Sequence, residues 1–338
     1  MITRQPVHVL YGGAHLFRAD VVAKMGRLAL RSLDEGGLAE VAGEEITRRV
    51  RAKLEHEPLE DLRIDFEDGY GIRTHDEEDR DAAAAGVRFA EAYQAGALPP
   101  LIGIRLRNDF QRSERTLKIF LDAAGVVPKE FVITIPKVTT PREVERMAQA
   151  APGISLEVMI ETPEALRDAL AIVKAGPVVA AHFGPYDFTA SLGVPANAQS
   201  LTHPLCDHAR HALQVALAGT GVRIADGPTA RLPIGTKDEV QEAWKLHMAN
   251  IAHALASGIN QGWDLHPAHL PARYAAVYRF YRDNLQASAG RLRNYRERAE
   301  QATRFGQAFD DAATVRGLES FLQCGVACGA IDPSEVPA

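Results

Sequence analysis

Short apolar runs, many of them β-branched, recur along the chain and alternate with longer stretches in which apolar residues return every three or four positions. The runs are VHVLYG from Val7, DLRIDFEDG from Asp61, LIGIRLR from Leu101, FVITIPKV from Phe131, SLEVMIE from Ser155, VVAAHFG from Val178, VRIADGP from Val222 and INQGWDLHP from Ile259. Between them, residues 20–33, 47–54, 77–93, 113–123, 141–150, 163–173, 204–218 and 237–256 read as helices with one apolar side. Strand then helix, eight times over, predicts an α/β chain folded as a (β/α)8 TIM barrel. A doubly wound open sheet shows the same alternation, so the choice rests on where the reactive side chains fall. Glu67, Asp68, Arg105, Lys137, Glu161, Asp187, Asp226 and His266 all stand at or just past the C-terminal ends of their strands. A barrel gathers those ends into one ring around one pocket; an open sheet strings them along an edge. After the eighth strand, residues 271–285, 287–302 and 310–329 read as three helices and the last few residues as frayed. The expected organisation is a catalytic barrel over residues 1–270 and a C-terminal helical extension over 271–338, which covers the barrel mouth or docks onto a neighbouring subunit.

Composition narrows the partners. Lys plus Arg number 38 against 44 Asp plus Glu, a net charge of −6, so nothing favours nucleic acid or another polyanion. The opening MITRQPVHVLYGG has no long apolar segment and no run approaches the length of a membrane span, so a cytoplasmic chain without a membrane partner is expected. Of the three cysteines, Cys324 and Cys328 are four apart and Cys206 stands alone, which matches neither a redox pair nor a zinc knuckle; all three are read as reduced and apolar in role.

The stretch SLEVMIETPEAL turns from a buried strand into a carboxylate, Glu161, then a Thr-Pro stop and a helix start. The next unit, VVAAHFGPYDFTASLG, repeats the design and ends on Asp187. Each acid alone reads equally as a helix cap. Together, at adjacent strand ends, they suit a hard cation such as Mg²⁺, with Mn²⁺ as the alternative, because no Cys or His accompanies them. IDFEDGYG adds Asp65, Glu67 and Asp68, either a solvated acidic turn or acceptors beside the waters of such a cation. Arg105 and Arg107 alternate with apolar neighbours. If the face they share is the barrel interior, Arg105 is placed to stabilise an oxyanion or clamp a carboxylate and Arg107 to pair with the acids of the second strand; the alternative is a surface pair with no role. Lys137 reads as an ion-pairing lysine rather than a Schiff base, since acids nearby keep it charged. His182 and His266 read first as hydrogen-bonded core residues. His203, His208 and His211 make no convincing metal set, and Arg291, Arg293, Arg296 and Arg298 read as solvated and paired with nearby glutamates.

These segments resemble the HpcH/HpaI aldolase and citrate lyase β-subunit (CitE-like) superfamily over roughly residues 5–270. DFEDG is similar to its second-strand motif and IRLRN to its third-strand arginine motif. IPKV, IETPEAL, FGPYDFTASLG, DGP and GINQGWDLHPAHL follow in the family's order. The opening HVLYGGAHLFR lacks the Arg-rich strand and Pro-Gly turn of the thioester lyases. EDLRIDFEDGYGIR and QGWDLHPAHLPARY look closer to a bacterial subgroup described only as aldolase-like.

The resemblance implies that Glu161 and Asp187 ligate Mg²⁺, that Glu67 and Asp68 lie beside the metal waters, and that Arg105 faces the reacting oxygen. It implies further that backbone amides around Gly184 and Pro185 hold the carboxylate of a 2-oxo acid. The expected activity is a carbon–carbon lyase of aldol or Claisen type acting through an enolate on a 2-oxo acid or a 3-hydroxyacyl-CoA, with the proton carrier unassigned. A homo-oligomer, trimer or hexamer, goes with it. The alternatives are a phosphoenolpyruvate mutase-like or phosphoryl-transfer barrel and a non-catalytic acid-binding barrel; Asp65, Lys137, Asp226 and His266 are further site candidates.

Overall fold

The computed structural model describes residues 4–298, 303–305 and 308–337. Eight strands, β1 (His8–Gly13), β2 (Asp61–Asp65), β3 (Leu101–Arg105), β4 (Phe131–Ile135), β5 (Ser155–Ile160), β6 (Val178–Phe183), β7 (Arg223–Asp226) and β8 (Gln261–Asp264), pair in sequence order, and β8 returns to β1 to close the barrel. Every neighbouring pair is parallel, as the register of β1 on β2 and of β8 on β1 shows at the closure. The chain therefore has the expected barrel, and each strand begins within two residues of its apolar run.

The two-residue alternation of each strand sorts its side chains. Leu62, Ile64, Ile102, Ile104, Phe131, Ile133, Leu156, Val158, Ile160 and Phe183 face outward into the main apolar core, beneath the surrounding helices. The inward set is mostly polar or small. Arg63 of β2 donates to Glu157 of β5 (Nη2 to Oε2, 2.7 Å) and to Thr134 of β4 (Nε to Oγ1, 3.0 Å), and forks onto Asp61. His182 and Arg223 close on the same Glu157 carboxylate at 3.3 and 3.6 Å. Above this charged layer lies a small apolar one, Val9, Met159, Ala225 and Trp263, with Tyr11 against it. A barrel interior is normally filled by branched aliphatics; here ion pairs fill the lower part.

Helices join the strands with well-formed ends. Thr74 with Glu77, Thr140 with Glu143 and Thr236 with Glu239 make reciprocal capping boxes. The stretch read as one helix over 163–173 is two, Pro163–Arg167 and Ala169–Lys174, broken at Asp168. Two short helices, Leu38–Ala42 and Pro185–Ser191, escaped the periodicity because each is under two turns long.

The C-terminal region departs most from expectation. Residues 271–285 and 287–302 are not two helices: one helix runs unbroken over Leu270–Glu297, since Gln286 between them is itself a good helix former. Residues 299–302 lie outside the described part. This helix packs against Glu44–His56, Lys237–Ala256 and the later helix Ala312–Ala327. Its base is tied to the barrel, where Tyr274 donates to the Pro58 carbonyl at 3.1 Å and Arg273 grips Asp264. A two-stranded antiparallel hairpin, β9 (Thr303–Phe305) and β10 (Ala308–Asp310), precedes the last helix. Arg291 pairs with Asp310 rather than with a glutamate, whereas Arg296 does meet Glu319 at 2.9 Å. Within the stretch read as frayed, Pro333–Glu335 forms a capped 3-10 turn that Arg282 holds through Glu335 at 2.7 Å. The three cysteines are free.

Candidate functional site

The C-terminal ends of the strands enclose a cavity of about 300 Å³ lined from β1, β2, β3, β5, β6, β7 and β8. A roomier hollow of about 550 Å³ lies at the opposite end, beside Pro58, Leu59, Pro99 and Pro100, which precede β2 and β3. Chemistry in this fold belongs to the C-terminal face, so the smaller cavity is the candidate site.

Asp65 ends β2 fully buried and makes four bonds. It accepts from Arg105 Nε and Nη2, both at 2.6 Å, and from the backbone N–H of Glu67 and Gly69 at 2.9 and 2.7 Å. Both oxygens are thereby used, and the loop Phe66–Gly69 is wrapped around them. Arg105 is consequently not the open clamp the sequence suggested. Its Nε and Nη2 are committed to Asp65, its guanidinium lies 4.6 Å from the centre of the Tyr11 ring, and Nη1 donates to Met159 Sδ at 3.8 Å. That nitrogen is 3.0 Å from Glu67 Oε2, without hydrogen-bond alignment, and 3.7 Å from Asp68 Oδ2.

Glu161 follows β5 directly and is almost wholly buried. The backbone N–H of Lys137, just past β4, donates to its Oε1 at 2.6 Å. Gly184, just past β6, lies so close that a Cβ there would come within 2.5 Å of both Glu161 Cβ and Oε2. Burial, together with the charges of Asp187 and Glu67, pushes the Glu161 carboxyl up to about 7. Asp187 is exposed, in the first turn of the helix Pro185–Ser191. Glu67 is raised too, by burial, although Arg105 and Lys137 pull against the shift. Lys137 Nζ reaches Glu67 Oε1 at 2.8 Å and Asp68 Oδ1 at 3.9 Å. Burial lowers its ammonium, but the bond to Glu67 and the charges of Glu67, Asp68 and Asp187 outweigh that and raise it. The lysine is a paired cation, as its neighbours suggested.

Other expectations are corrected. Gly184 and Pro185 line the cavity but offer it no amide: Gly184 N donates to the Ile160 carbonyl at 3.0 Å, and proline has no N–H. Asp226 points into a buried pairing with Arg210 at 3.1 Å and does not line the cavity. His266 accepts from Ala268 N as the cap of a 3-10 turn and borders a separate hollow with Arg31 and Lys237. Arg107 turns outward to Glu78, on the helix after β2 rather than on the strand, at 2.7 Å. His182 is the buried core histidine expected, its Nδ1 paired with the Tyr11 hydroxyl at 3.3 Å and its Nε2 3.3 Å from Glu157 Oε2 without hydrogen-bond alignment. His203 caps its helix by accepting from Leu205 N, and among the described residues no cluster of three or more His, Cys, Asp or Glu side chains is arranged as a metal cage.

Sequence reading missed one whole side of the cavity: Tyr11, Tyr186, Pro228, Ala230, Trp263 and Leu265. The parity of β1 and β8 carries the signal for Tyr11 and Trp263, which alternate inward with Val9 and Gln261. The loop residues carry none.

A family model described as "Domain of unknown function (DUF6986)" matches residues 1–338. No curated protein matches the chain. Among solved structures, a citrate lyase from Burkholderia xenovorans LB400 aligns at a TM-score of 0.68 and 19% identity, over 98% of this chain and 95% of that one. CitE from Mycobacterium tuberculosis, in complex with magnesium, acetoacetate and coenzyme A, aligns at 0.64 and 17% identity, over 97% and 100%. The same protein in complex with magnesium and pyruvate aligns at 0.55 and 17% identity, over 95% and 98%. At these identities the likeness speaks for the fold.

Proposed function

The chain belongs to this family of unknown function, and on that premise we propose that it is a Mg²⁺-dependent carbon–carbon lyase that makes or breaks a bond next to the carbonyl of a 2-oxo acid. One observation carries the reading. Glu161 and Asp187, from successive strand ends, face a single cavity together with the buried cation Arg105.

The residues fit a divalent cation. The donor set is all oxygen, as Mg²⁺ prefers. Gly184 leaves beside Glu161 a space that any side chain would fill. Burial, and after it the charges of Asp187 and Glu67, raise the Glu161 carboxyl, and a bound cation would offset both. Glu161 and Asp187 would hold the ion, with Glu67 and Asp68 beside it. When bound, it supplies Lewis-acid stabilisation of a developing negative oxygen.

The chain's own groups do the rest. Asp65 fixes the Arg105 fork, so that the guanidinium would meet an enolate oxygen through Nη1, the nitrogen that otherwise faces Met159 Sδ and Glu67 Oε2. Stabilising that oxygen more than the neutral ketone is the condition for accelerating the step. Glu67 and Asp68 are the groups beside the cavity that can take and return a proton. Lys137 holds Glu161 through its backbone and Glu67 through its ammonium, which keeps the acidic arc assembled.

The structural neighbours bound to magnesium with pyruvate or acetoacetate support this reading. It is tested by NMR in D₂O, following label into the pyruvate methyl group with Mg²⁺ present. Exchange that disappears in Glu161→Gln is expected. An inert native protein, or a fully active Glu161→Gln, would refute the reading. Label entering acetyl-CoA instead would mean a thioester lyase, the reading that the coenzyme A complex of the M. tuberculosis protein brings forward.

A further inference from the structure

The ring of strand ends divides into two arcs of opposite character. From β2 to β5, with Asp187 after β6, it presents Asp65, Asp68, Arg105, Glu161 and Asp187 to the cavity. From β6 round to β8 it presents Pro185, Tyr186, Pro228, Ala230, Trp263 and Leu265, and Tyr11 of β1 completes the wall. The two tyrosine hydroxyls of the second arc are already used, and Trp263 Nε1, which has no hydrogen-bond partner, is shut off from solvent. The Tyr186 hydroxyl donates to the Pro228 carbonyl at 2.9 Å and accepts from Ala230 N at 3.1 Å. The Tyr11 hydroxyl is paired with His182 Nδ1 at 3.3 Å. Among the described residues, Arg105 is the one cation lining the cavity, and Asp65 holds two of its three nitrogens.

A molecule bound here meets charge on one side and carbon on the other. The charged side accommodates the carboxylate and ketone of an oxo acid. A second carboxylate, at the far end of the molecule, would be taken out of water against Pro228, Trp263 and Leu265 with no partner, which is strongly unfavourable. An alkyl or aryl group placed there loses only its hydration shell.

Building on the lyase reading above, we infer that the fragment joined to the oxo acid, or released from it, is an uncharged aliphatic or aromatic aldehyde, and that Trp263 and Leu265 set this preference. In the joining direction, the methyl carbon of pyruvate gives up a proton to a carboxylate of the site. Its electron pair then forms the new bond to the aldehyde carbon, and the aldehyde oxygen takes up a proton to become a hydroxyl. Cleavage reverses each movement.

The test uses the full chain with Mg²⁺, pyruvate and two acceptors of similar length, pentanal and succinic semialdehyde, one ending in a methyl group and the other in a carboxylate. A kcat/KM for pentanal higher by about tenfold or more is expected, the lower end of what a matched apolar pocket discriminates. Leu265→Lys should narrow or invert that ratio. Leu265 is 41% exposed, so the substitution leaves the fold in place. Succinic semialdehyde serving as well as pentanal in the native protein would overturn the inference, as would deuterium exchange into pyruvate with no condensation onto either aldehyde. Absence of deuterium exchange is a different result and removes the lyase reading itself.

Discussion

The backbone N–H of Lys137 donates to Glu161 Oε1 over 2.6 Å from a residue whose φ is 49°. No other non-glycine residue among the described ones has a positive φ. The left-handed conformation costs an L-residue about 1–2 kcal/mol. It is retained at the point where the chain leaves β4 and must turn an amide inward to the buried carboxylate of Glu161. Strain of this kind is tolerated where the surroundings over-determine it.

Substitution at this position separates backbone from side chain. Lys137→Gly and Lys137→Ala both lose the ammonium bond to Glu67, but glycine accepts the left-handed backbone without penalty. In urea denaturation the glycine variant should be more stable than the alanine variant by about 1 kcal/mol. Equal stabilities would mean that the amide is not held in this conformation in solution.

The raised Glu161 carboxyl makes a signed prediction. Its value in the folded chain is about 7 against 4.5 for the ordinary group, so between those limits the folded state holds the extra proton. The metal-free protein should therefore lose stability as pH rises from 4.5 to 7, by roughly 3 kcal/mol from this group alone. Glu161→Gln should remove that share of the slope over the same window in a chelator. The same proton competes with the cation, so below pH 7 Mg²⁺ binding should release close to one proton, measurable by calorimetry in buffers of different ionisation heat.

Gly184 gives a steric test of the cavity. A methyl group there would meet Glu161 Cβ and Oε2 at 2.5 Å, so Gly184→Ala must displace the carboxylate. Mn²⁺ binding, followed by the loss of the free-ion resonance signal, should weaken by about tenfold or more, the scale on which disturbing a ligand's surroundings acts. Unchanged affinity would place the cation elsewhere.

Arg63 bears on stability. It is buried between Asp61 and Glu157 and lines no part of the cavity. Arg63→Ala strands the Asp61 carboxylate inside the barrel, leaves Glu157 with only His182 and Arg223, and should destabilise the protein by about 3–5 kcal/mol. A loss below about 1 kcal/mol, in either heat or urea unfolding, would show that water reaches this layer.

Much of this was legible in the sequence, and particular residues show why. Strand order followed from β-branched runs such as FVITI and SLEVMI, whose outward residues bury on the helices. The placing of Glu161, Asp187 and Arg105 around one cavity followed from their position at strand ends. What the sequence could not convey is how bonds are shared once the barrel closes. Asp65 and Arg105 are 40 residues apart, and nothing local says that this carboxylate occupies two of the arginine's nitrogens. Gly184 looked available as an amide donor, yet the β5–β6 ladder uses it. Asp226 had the strand-end position of a site acid, but Arg210, from the preceding helix, captures it. In the tail, a continuous helical pattern carries no mark of its own length, so one helix was divided in two.

The ion-paired layer of Asp61, Arg63, Glu157, His182 and Arg223 lies beneath the cavity with side chains packed across the whole bore. Among the described residues, the barrel is thus a well closed at its floor. A molecule that enters between the acidic and apolar arcs finds no way out through that floor, so on the lyase reading two products would depart by the mouth rather than through opposite ends. A compound broad enough to span the rim would stop entry and exit together without touching a reacting atom.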